Sequence, residues 1–227
     1  IFIVLGLVLS ACGAPAAPAP TQAPAAAAPK KGGKVTMAVW QEPATLNSLL
    51  GTQTVMDEVN VFVLEGMTIV DPDGKRLPNL AKEVPTVQNG GVSADGKTIT
   101  YKLRENVLWS DGKPFTCEDV KWNWQLIMTP NIGIVSTTGY SDIEAVECPN
   151  LTTAVVKYKN FYAPYLSLFS EIIPKHATGD PQKIKDWVFN RKPVGTGPFK
   201  VLEFITADHI TLVRNENYRE KDKPLLD

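Results

Sequence analysis

The cysteines are the residues of this chain with the most specific chemistry, and the first of them has an informative setting. Cys12 follows the apolar run 1–9 (IFIVLGLVL) and two small residues, Ser10 and Ala11. Leu-Ser-Ala-Cys resembles a bacterial lipobox, where the leader is cleaved before the cysteine and its sulfur then carries a diacylglycerol. The alternative is a buried amino-terminal strand with a core cysteine. The composition of the next segment favours lipidation.

That next segment, residues 14–31 (APAAPAPTQAPAAAAPKK), is almost entirely alanine and proline. Proline fixes φ and removes a backbone donor, so neither a helix nor a sheet continues through it, and it has little to bury. In extended polyproline conformation it would span roughly 55 Å. We interpret 1–11 as a truncated signal peptide and 12–31 as a lipidated tether. Acylation would hold the protein on the periplasmic side or cell surface of a bacterial membrane.

The other two cysteines, Cys117 and Cys148, could form a disulfide, which an exported protein allows. The sequence does not give their separation, so this pairing stays open. No Cys-x-x-Cys occurs, and the two histidines of the chain, His176 and His209, are far apart in sequence. A structural zinc site is therefore not expected, and we predict neither a metal nor a cofactor.

Motifs for enzymatic chemistry are not found. Gly-x-Ser-x-Gly, His-Glu-x-x-His and a phosphate-binding loop are all absent. Asp71-Pro-Asp-Gly74 resembles the start of a calcium loop, but Lys82 stands where its last glutamate ligand would be, so a turn is predicted. Adjacent Glu118 and Asp119 favour the first turn of a helix. An exported cell-wall hydrolase would need a nucleophile with its base, or two carboxylates flanking a cleft, and we see neither.

Aromatic residues are the remaining candidates for ligand contact. Trp122 and Trp124 lie two positions apart on one predicted helix, so they point in different directions. One of them could face a cleft, where a flat amphipathic ring suits a ligand. The alternative is that both cover apolar surface at a domain boundary.

Composition limits the class of protein. The chain has 227 residues, a net charge of −1 and 44% hydrophobic residues, which suits a globular protein of one or two domains. A near-zero charge argues against nucleic acid as a partner, because such binding needs a basic face. No apolar run reaches the roughly 18 residues of a membrane span.

Strand and helix patterns are mixed along the rest of the chain without strict βαβ order. Strands are predicted at 32–40, 67–70, 98–104, 152–159, 195–204 and 209–215, and helices at 54–66, 115–128 and within 163–174. Thr116 and Asp119 form a capping box at the start of the second helix, and Phe115 and Val120 occupy the staple positions. This mixture predicts a mixed α/β fold of the α+β class.

The most specific signal is the stretch 101–127 (YKLRENVLWSDGKPFTCEDVKWNWQLI). Flanking motifs lie at 32–38 (GGKVTMA), 42–47 (EPATLN), 73–83 (DGKRLPNLAKE) and 194–218. In this order they closely resemble the bacterial family 5 extracellular solute-binding proteins, the oligopeptide-, dipeptide- and nickel-binding components of ABC importers. The resemblance covers most of residues 32–227. It departs at Cys117, where alanine is usual, and at Arg219, where tryptophan is common.

The resemblance implies a periplasmic-binding-protein-like architecture of two lobes with the ligand between them. Residues 32–66 and 167–227 would build part of lobe one, and 67–166 an inserted subdomain. Most of lobe two would be missing. Glu42 matches a position near the ligand in oligopeptide binders, where its carboxylate could pair with an amine; the alternative is a loop carboxylate in water. Trp122 matches an aromatic position lining the cleft, and Trp40 is added for its proximity.

The implied function is that of a lipid-anchored extracytoplasmic protein that captures oligopeptides by hinge closure and delivers them to the permease subunits of an ABC importer. We expect a monomer without catalytic activity and without nucleic acid. The same fold could bind an oligosaccharide, a dipeptide or nickel, although so few histidines disfavour nickel. Two different functions stay open: an exported hydrolase, and a sensory protein that presents its ligand to a membrane receptor.

Overall fold

Two α-helices, seven strands and five short 3-10 helices make up the regular structure of residues 30–227, the part of the chain that this computed structural model describes. The elements are α1 (Thr54–Val63), β1 (Thr68–Val70), β2 (Arg76–Pro78), β3 (Thr98–Lys102), α2 (Cys117–Ile127), β4 (Ile143–Asn150), β5 (Thr153–Tyr158), β6 (Phe199–Ile205) and β7 (His209–Arg214). This confirms the mixed α/β class. The predicted signal peptide, Cys12 and nearly all of the predicted tether lie outside the described residues.

The central sheet is antiparallel, with strand order β3-β5-β4. Ile99 pairs with Val156 and Tyr101 with Ala154, and all four side chains are buried. The alternation predicted for 98–104 is therefore confirmed, because successive side chains of a strand point to opposite faces.

Two hairpins complete the strands, β1–β2 and β6–β7. The first turns at Asp71, whose Oδ1 accepts hydrogen bonds from the backbone N–H groups of Asp73 and Lys75 at 3.1 and 2.7 Å. Gly74 there has a φ of 79°, a conformation that glycine adopts without steric cost. The predicted turn is confirmed, and Asp71 Oδ1 accepts hydrogen bonds from the backbone of the turn.

Helix α2 begins with the predicted capping box. Thr116 Oγ1 accepts from the Glu118 N–H at 3.3 Å, and the Thr116 N–H donates to Asp119 Oδ2 at 2.9 Å. The second carboxylate oxygen of Asp119 accepts from the Lys175 N–H at 3.0 Å. Burial raises the pKa of Asp119, although these backbone donors oppose the shift. The cap therefore fixes the helix start and also holds the chain near Lys175 against it.

The apolar core falls into two clusters. The first is built from 67–172 around the central sheet, and the second from parts of 46–64 and 173–201 together with the carboxyl-terminal end of α2. On α2, Val120 belongs to the first cluster and Leu126 to the second. One helix therefore connects both clusters.

A disulfide joins Cys117, the first residue of α2, to Cys148 in β4, with their Cα atoms 5.7 Å apart. The Cys117 side chain is fully buried. The bond links the start of the capped helix to the edge of the central sheet.

Two sequence-based predictions of regular structure are wrong. Residues 32–40 form no strand: hydrogen bonds join Gly32 and Gly33 to residues 225–227, and from Val35 to Trp40 no neighbouring strand among the described residues supplies partners. The predicted helix within 163–174 is a single 3-10 turn at Tyr165–Ser167. Phe169 has a φ of 54°, which breaks a right-handed helix.

Substitution of Gly195 by alanine is expected to destabilise the chain by about 1–3 kcal/mol. A Cβ at this position would overlap the backbone carbonyl oxygen of Val63 at the end of α1, and a backbone atom cannot move aside as a flexible side chain can. Gly179→Ala is the matched control, because its added Cβ would lie 3.4 Å from the nearest atom. Urea denaturation should show a loss of stability for Gly195→Ala alone; equal curves would contradict the packing.

Candidate functional site

Two loops, each next to one of the helices, lie against each other. The loop before α1, residues 44–53, meets the loop after α2, residues 129–139, where the Val135 N–H donates to the Leu49 carbonyl oxygen at 3.0 Å. A cavity opens on each side of this contact. The loop junction therefore has two concave surfaces.

The first cavity, which we call the Glu171 pocket, measures about 170 Å³. Apolar side chains form one part of its wall, and hydroxyl groups and one carboxylate form the rest. The lining residues are Ser48, Leu49, Ile127, Ile134, Val135, Ser136, Tyr140, Ser170 and Glu171. Its lining contains one carboxyl group, that of Glu171, and no basic side chain.

The second cavity, which we call the Arg191 groove, is larger and more open, at about 620 Å³. It carries both signs of charge. Its lining residues are Ala44, Thr45, Leu50, Gly133, Lys185, Asp186, Trp187, Asn190 and Arg191. Both acidic and basic groups of a ligand could therefore form ion pairs in this groove.

Buried amide side chains hold the loop between the two cavities. Asn47 Nδ2 donates to Asn190 Oδ1 at 2.9 Å, and Asn190 Nδ2 donates to the Ile184 carbonyl oxygen at 2.8 Å. From α1, Asn60 Nδ2 donates to the Leu46 carbonyl oxygen at 3.2 Å. Because buried polar groups are costly unless paired, this network fixes the loop in place.

The Glu42 side chain forms hydrogen bonds within its own chain in this structure. Its Oε1 lies 3.2 Å from Arg191 Nη1, and its Oε2 accepts from the Ala207 N–H at 2.7 Å. The Arg191 guanidinium also lies over the Phe204 ring, 4.2 Å from its centroid. Glu42 therefore ties the tip of the β6–β7 hairpin to the rim of the Arg191 groove. A ligand amine would have to compete with Arg191 for this carboxylate.

The two tryptophans predicted to contact ligand lie apart from both cavities. Trp40 is 70% exposed. Trp122 packs on the second core cluster, and its indole N–H is buried without a hydrogen-bond partner among the described residues. Neither tryptophan lines one of the two cavities, so the role of both in binding stays a prediction.

Glu171 is the site residue that the sequence reasoning missed. It lies in the run LFSEIIP, and a lone carboxylate among apolar residues was the available signal. Burial raises its pKa, and repulsion by Asp57 adds to the shift, while hydrogen bonds from Ser48 and Asn60 oppose it. Glu171 takes part in no salt bridge within residues 30–227.

Substitution of Glu171 by glutamine is expected to stabilise the protein near neutral pH. Above the ordinary pKa of 4.5 the unfolded chain releases the proton, whereas the folded chain keeps it until the raised pKa is passed. The wild type therefore loses stability relative to the variant as pH rises over this interval, and the deficit persists above it. Melting temperatures at about pH 4 and about pH 7 should differ more at the higher pH. A constant difference would contradict the assignment.

Other kinds of site were sought in the described residues. No group of three or more histidine, cysteine, aspartate or glutamate side chains there could hold a metal ion. No helix of residues 30–227 is long and apolar enough to cross a membrane. The cavities at the loop junction thus remain the candidate functional site.

Comparison with known proteins places this architecture in one class. Residues 76–227 match the model of the bacterial extracellular solute-binding proteins, family 5 Middle. The oligopeptide-binding protein OppA of Bacillus subtilis is 29% identical over 248 aligned residues, covering 100% of this chain and 43% of its own. The fold is thus that of a periplasmic-binding-protein-like solute-binding protein.

Comparison with solved structures identifies the same class of protein. AppA of Bacillus subtilis in complex with a nonapeptide matches with a TM-score of 0.77 at 26% identity, over 88% of this chain and 40% of that one. NikZ of Campylobacter jejuni in complex with Ni(L-His) matches with a TM-score of 0.70 at 27% identity, over 79% and 35%. The chain belongs to the family 5 bacterial extracellular solute-binding proteins. It spans 38% to 43% of the length of three curated relatives that match nearly all of it.

Proposed function

We propose that this chain belongs to a lipid-anchored binding protein that captures oligopeptides outside the cytoplasm for an ABC importer. The observation that carries the proposal is the likeness to two oligopeptide-binding proteins, OppA over the whole chain and AppA in its nonapeptide complex. In this role the protein binds and releases its ligand without changing it, as a monomer. Permease subunits in the membrane would be its partners, and Cys12 its point of attachment.

We further propose that residues 32–66 and 167–227 form part of one lobe and that 67–166 form a subdomain inserted in it. The first core cluster supports this division, since most of its buried residues lie within 67–166, and Leu168, Phe169 and Ile172 join them from 167–227. The cavities beside the 44–53 loop would then belong to the ligand-facing wall of the lobe. Glu42, Trp40 and Trp122 remain proposed ligand contacts, and Glu42 would bind an amine after exchange with Arg191.

Calorimetric titration of the full-length protein tests this function. We expect heat of binding for short peptides from a mixed library, and none for matched mixtures of the constituent free amino acids. Because main-chain hydrogen bonds carry much of the affinity in peptide recognition, several sequences should bind. Binding of nickel–histidine or an oligosaccharide, with no heat from any peptide, would keep the family and contradict the proposed ligand.

A further inference from the structure

The Glu171 pocket is rich in hydrogen-bond acceptors and contains no basic side chain. Its polar groups are the Glu171 carboxylate and the hydroxyl groups of Ser48, Ser136, Ser170 and Tyr140. Hydroxyl groups can donate or accept, whereas an ionised carboxylate only accepts. The pocket therefore suits a group that brings several N–H donors.

The described residues around Glu171 provide its carboxyl group with no charged hydrogen-bond donor. The nearest hydrogen-bonded nitrogen, Asn60 Nδ2, lies 3.4 Å from Glu171 Oε2 and also donates to the Leu46 carbonyl oxygen. Asn60 is fully buried, and its Oδ1 has no partner within the described part of the chain. Apart from the Ser48 hydroxyl, this long and shared hydrogen bond is all that the described residues donate to the Glu171 carboxyl group, so an added charged donor would be favourable.

The charges around the pocket also favour a cation as its occupant. Glu171 has no basic partner within residues 30–227, and the nearby Asp57 carboxylate adds to the negative potential. A cation entering the pocket would gain both attractions and would favour the ionised form of Glu171. Charge-assisted hydrogen bonds to a carboxylate are about twice as strong as neutral ones.

The size of the cavity limits what can enter. About 170 Å³ holds one terminal group but not a peptide backbone of several residues. Val135 and Ser136 of its lining are exposed, so a group can enter beside them while the rest of its molecule stays outside. This is the shape of a subsite.

We propose that the Glu171 pocket is a subsite for a positively charged ammonium group of the bound ligand. The inference rests on the proposed function and narrows its substrate class to peptides that present such a group here. The ammonium could come from a lysine side chain or from the amino terminus of the peptide. Either source places the cation against Glu171 with the serine hydroxyl groups as further acceptors.

Calorimetric titration of the full-length protein with two sets of peptides tests the subsite. One set carries lysine, or norleucine as its uncharged counterpart, at each position of pentaalanine in turn. The other set compares pentaalanine with its amino-terminally acetylated form. In the wild type we expect a preference of about tenfold for the charged member of one comparison. Glu171→Gln should reduce that ratio to about one, which also shows the source of the ammonium.

Two further variants make the result specific. Ser136→Lys introduces an ammonium at an exposed position of the pocket lining, so it should abolish the same preference while the Glu171 carboxyl group is retained. Glu216→Gln removes an exposed carboxylate that pairs with Lys200 at 2.6 Å, and should keep the wild-type ratio. Equal binding of charged and neutral peptides in the wild type, or a preference that survives both pocket variants, would overturn the subsite alone. Failure of every peptide to bind would overturn the proposed function and the subsite with it.

Discussion

Substitution of Arg219 by alanine is expected to lower the free energy of unfolding by about 3–5 kcal/mol. The Arg219 guanidinium forms a salt bridge with Glu65 just after α1, where the two side chains are only 17% and 9% exposed. It also donates to Asn79 Oδ1 at 2.7 Å. Without Arg219, the Glu65 carboxylate would stay buried with no countercharge, and a buried unpaired charge is among the most destabilising changes in a protein.

Arg214→Ala is the matched control for this effect. Arg214 pairs with Asp227 at 3.2 Å, but its side chain is 41% exposed and that of Asp227 72%. Exposed ion pairs contribute up to about 1 kcal/mol, so the control should change stability by no more than that. Urea denaturation followed by tryptophan fluorescence measures both. Similar losses in the two variants would contradict the burial of the Arg219–Glu65 pair.

Removal of the disulfide by the double substitution Cys117→Ala and Cys148→Ala is expected to cost about 3–4 kcal/mol. The bond closes a loop with a sequence separation of 31 residues. Opening such a loop gives the unfolded chain more conformational freedom, which lowers the stability of the folded state relative to it. The first core cluster, which both cysteines contact, should be the part of the fold that is destabilised.

Reduction provides the control for the cysteine variant. Dithiothreitol should shift the denaturation curve of the wild type towards that of the double variant and leave the variant unchanged. If the wild-type curve is the same with and without the reductant, while mass spectrometry shows both thiols free after reduction, the disulfide does not stabilise the fold. A large loss in the variant would then come from packing at Cys117.

Local rules predicted much of this fold from the sequence. The capping box at Thr116 and Asp119 fixed the start of α2, and alternation fixed β3, since both signals act within a few residues. The β6–β7 hairpin could be predicted from the sequence because its strands flank a short turn at 206–208. The family was also correctly inferred, because its motifs occur in order along most of the chain.

Long-range contacts account for what the sequence did not reveal. Residues 32–40 have strand composition, but a strand needs a neighbour, and the sequence says nothing of where one lies. The hydrogen bond between Glu42 and Arg191, which the sequence did not predict, joins residues 149 positions apart. The role of Glu42 in ligand contact stays a prediction. The Glu171 pocket is assembled from the ends of several elements, so no local spacing indicates it.

Native mass spectrometry of the full-length protein, purified from its own host without removal of bound ligand, tests the central claim most directly. We expect a ladder of bound masses that fragment as peptides, because recognition through the peptide main chain accepts many sequences. Fragments from peptides that carry lysine or a free amino terminus would also agree with the Glu171 subsite. A single bound mass that fragments as a sugar or as a metal complex would contradict peptide capture.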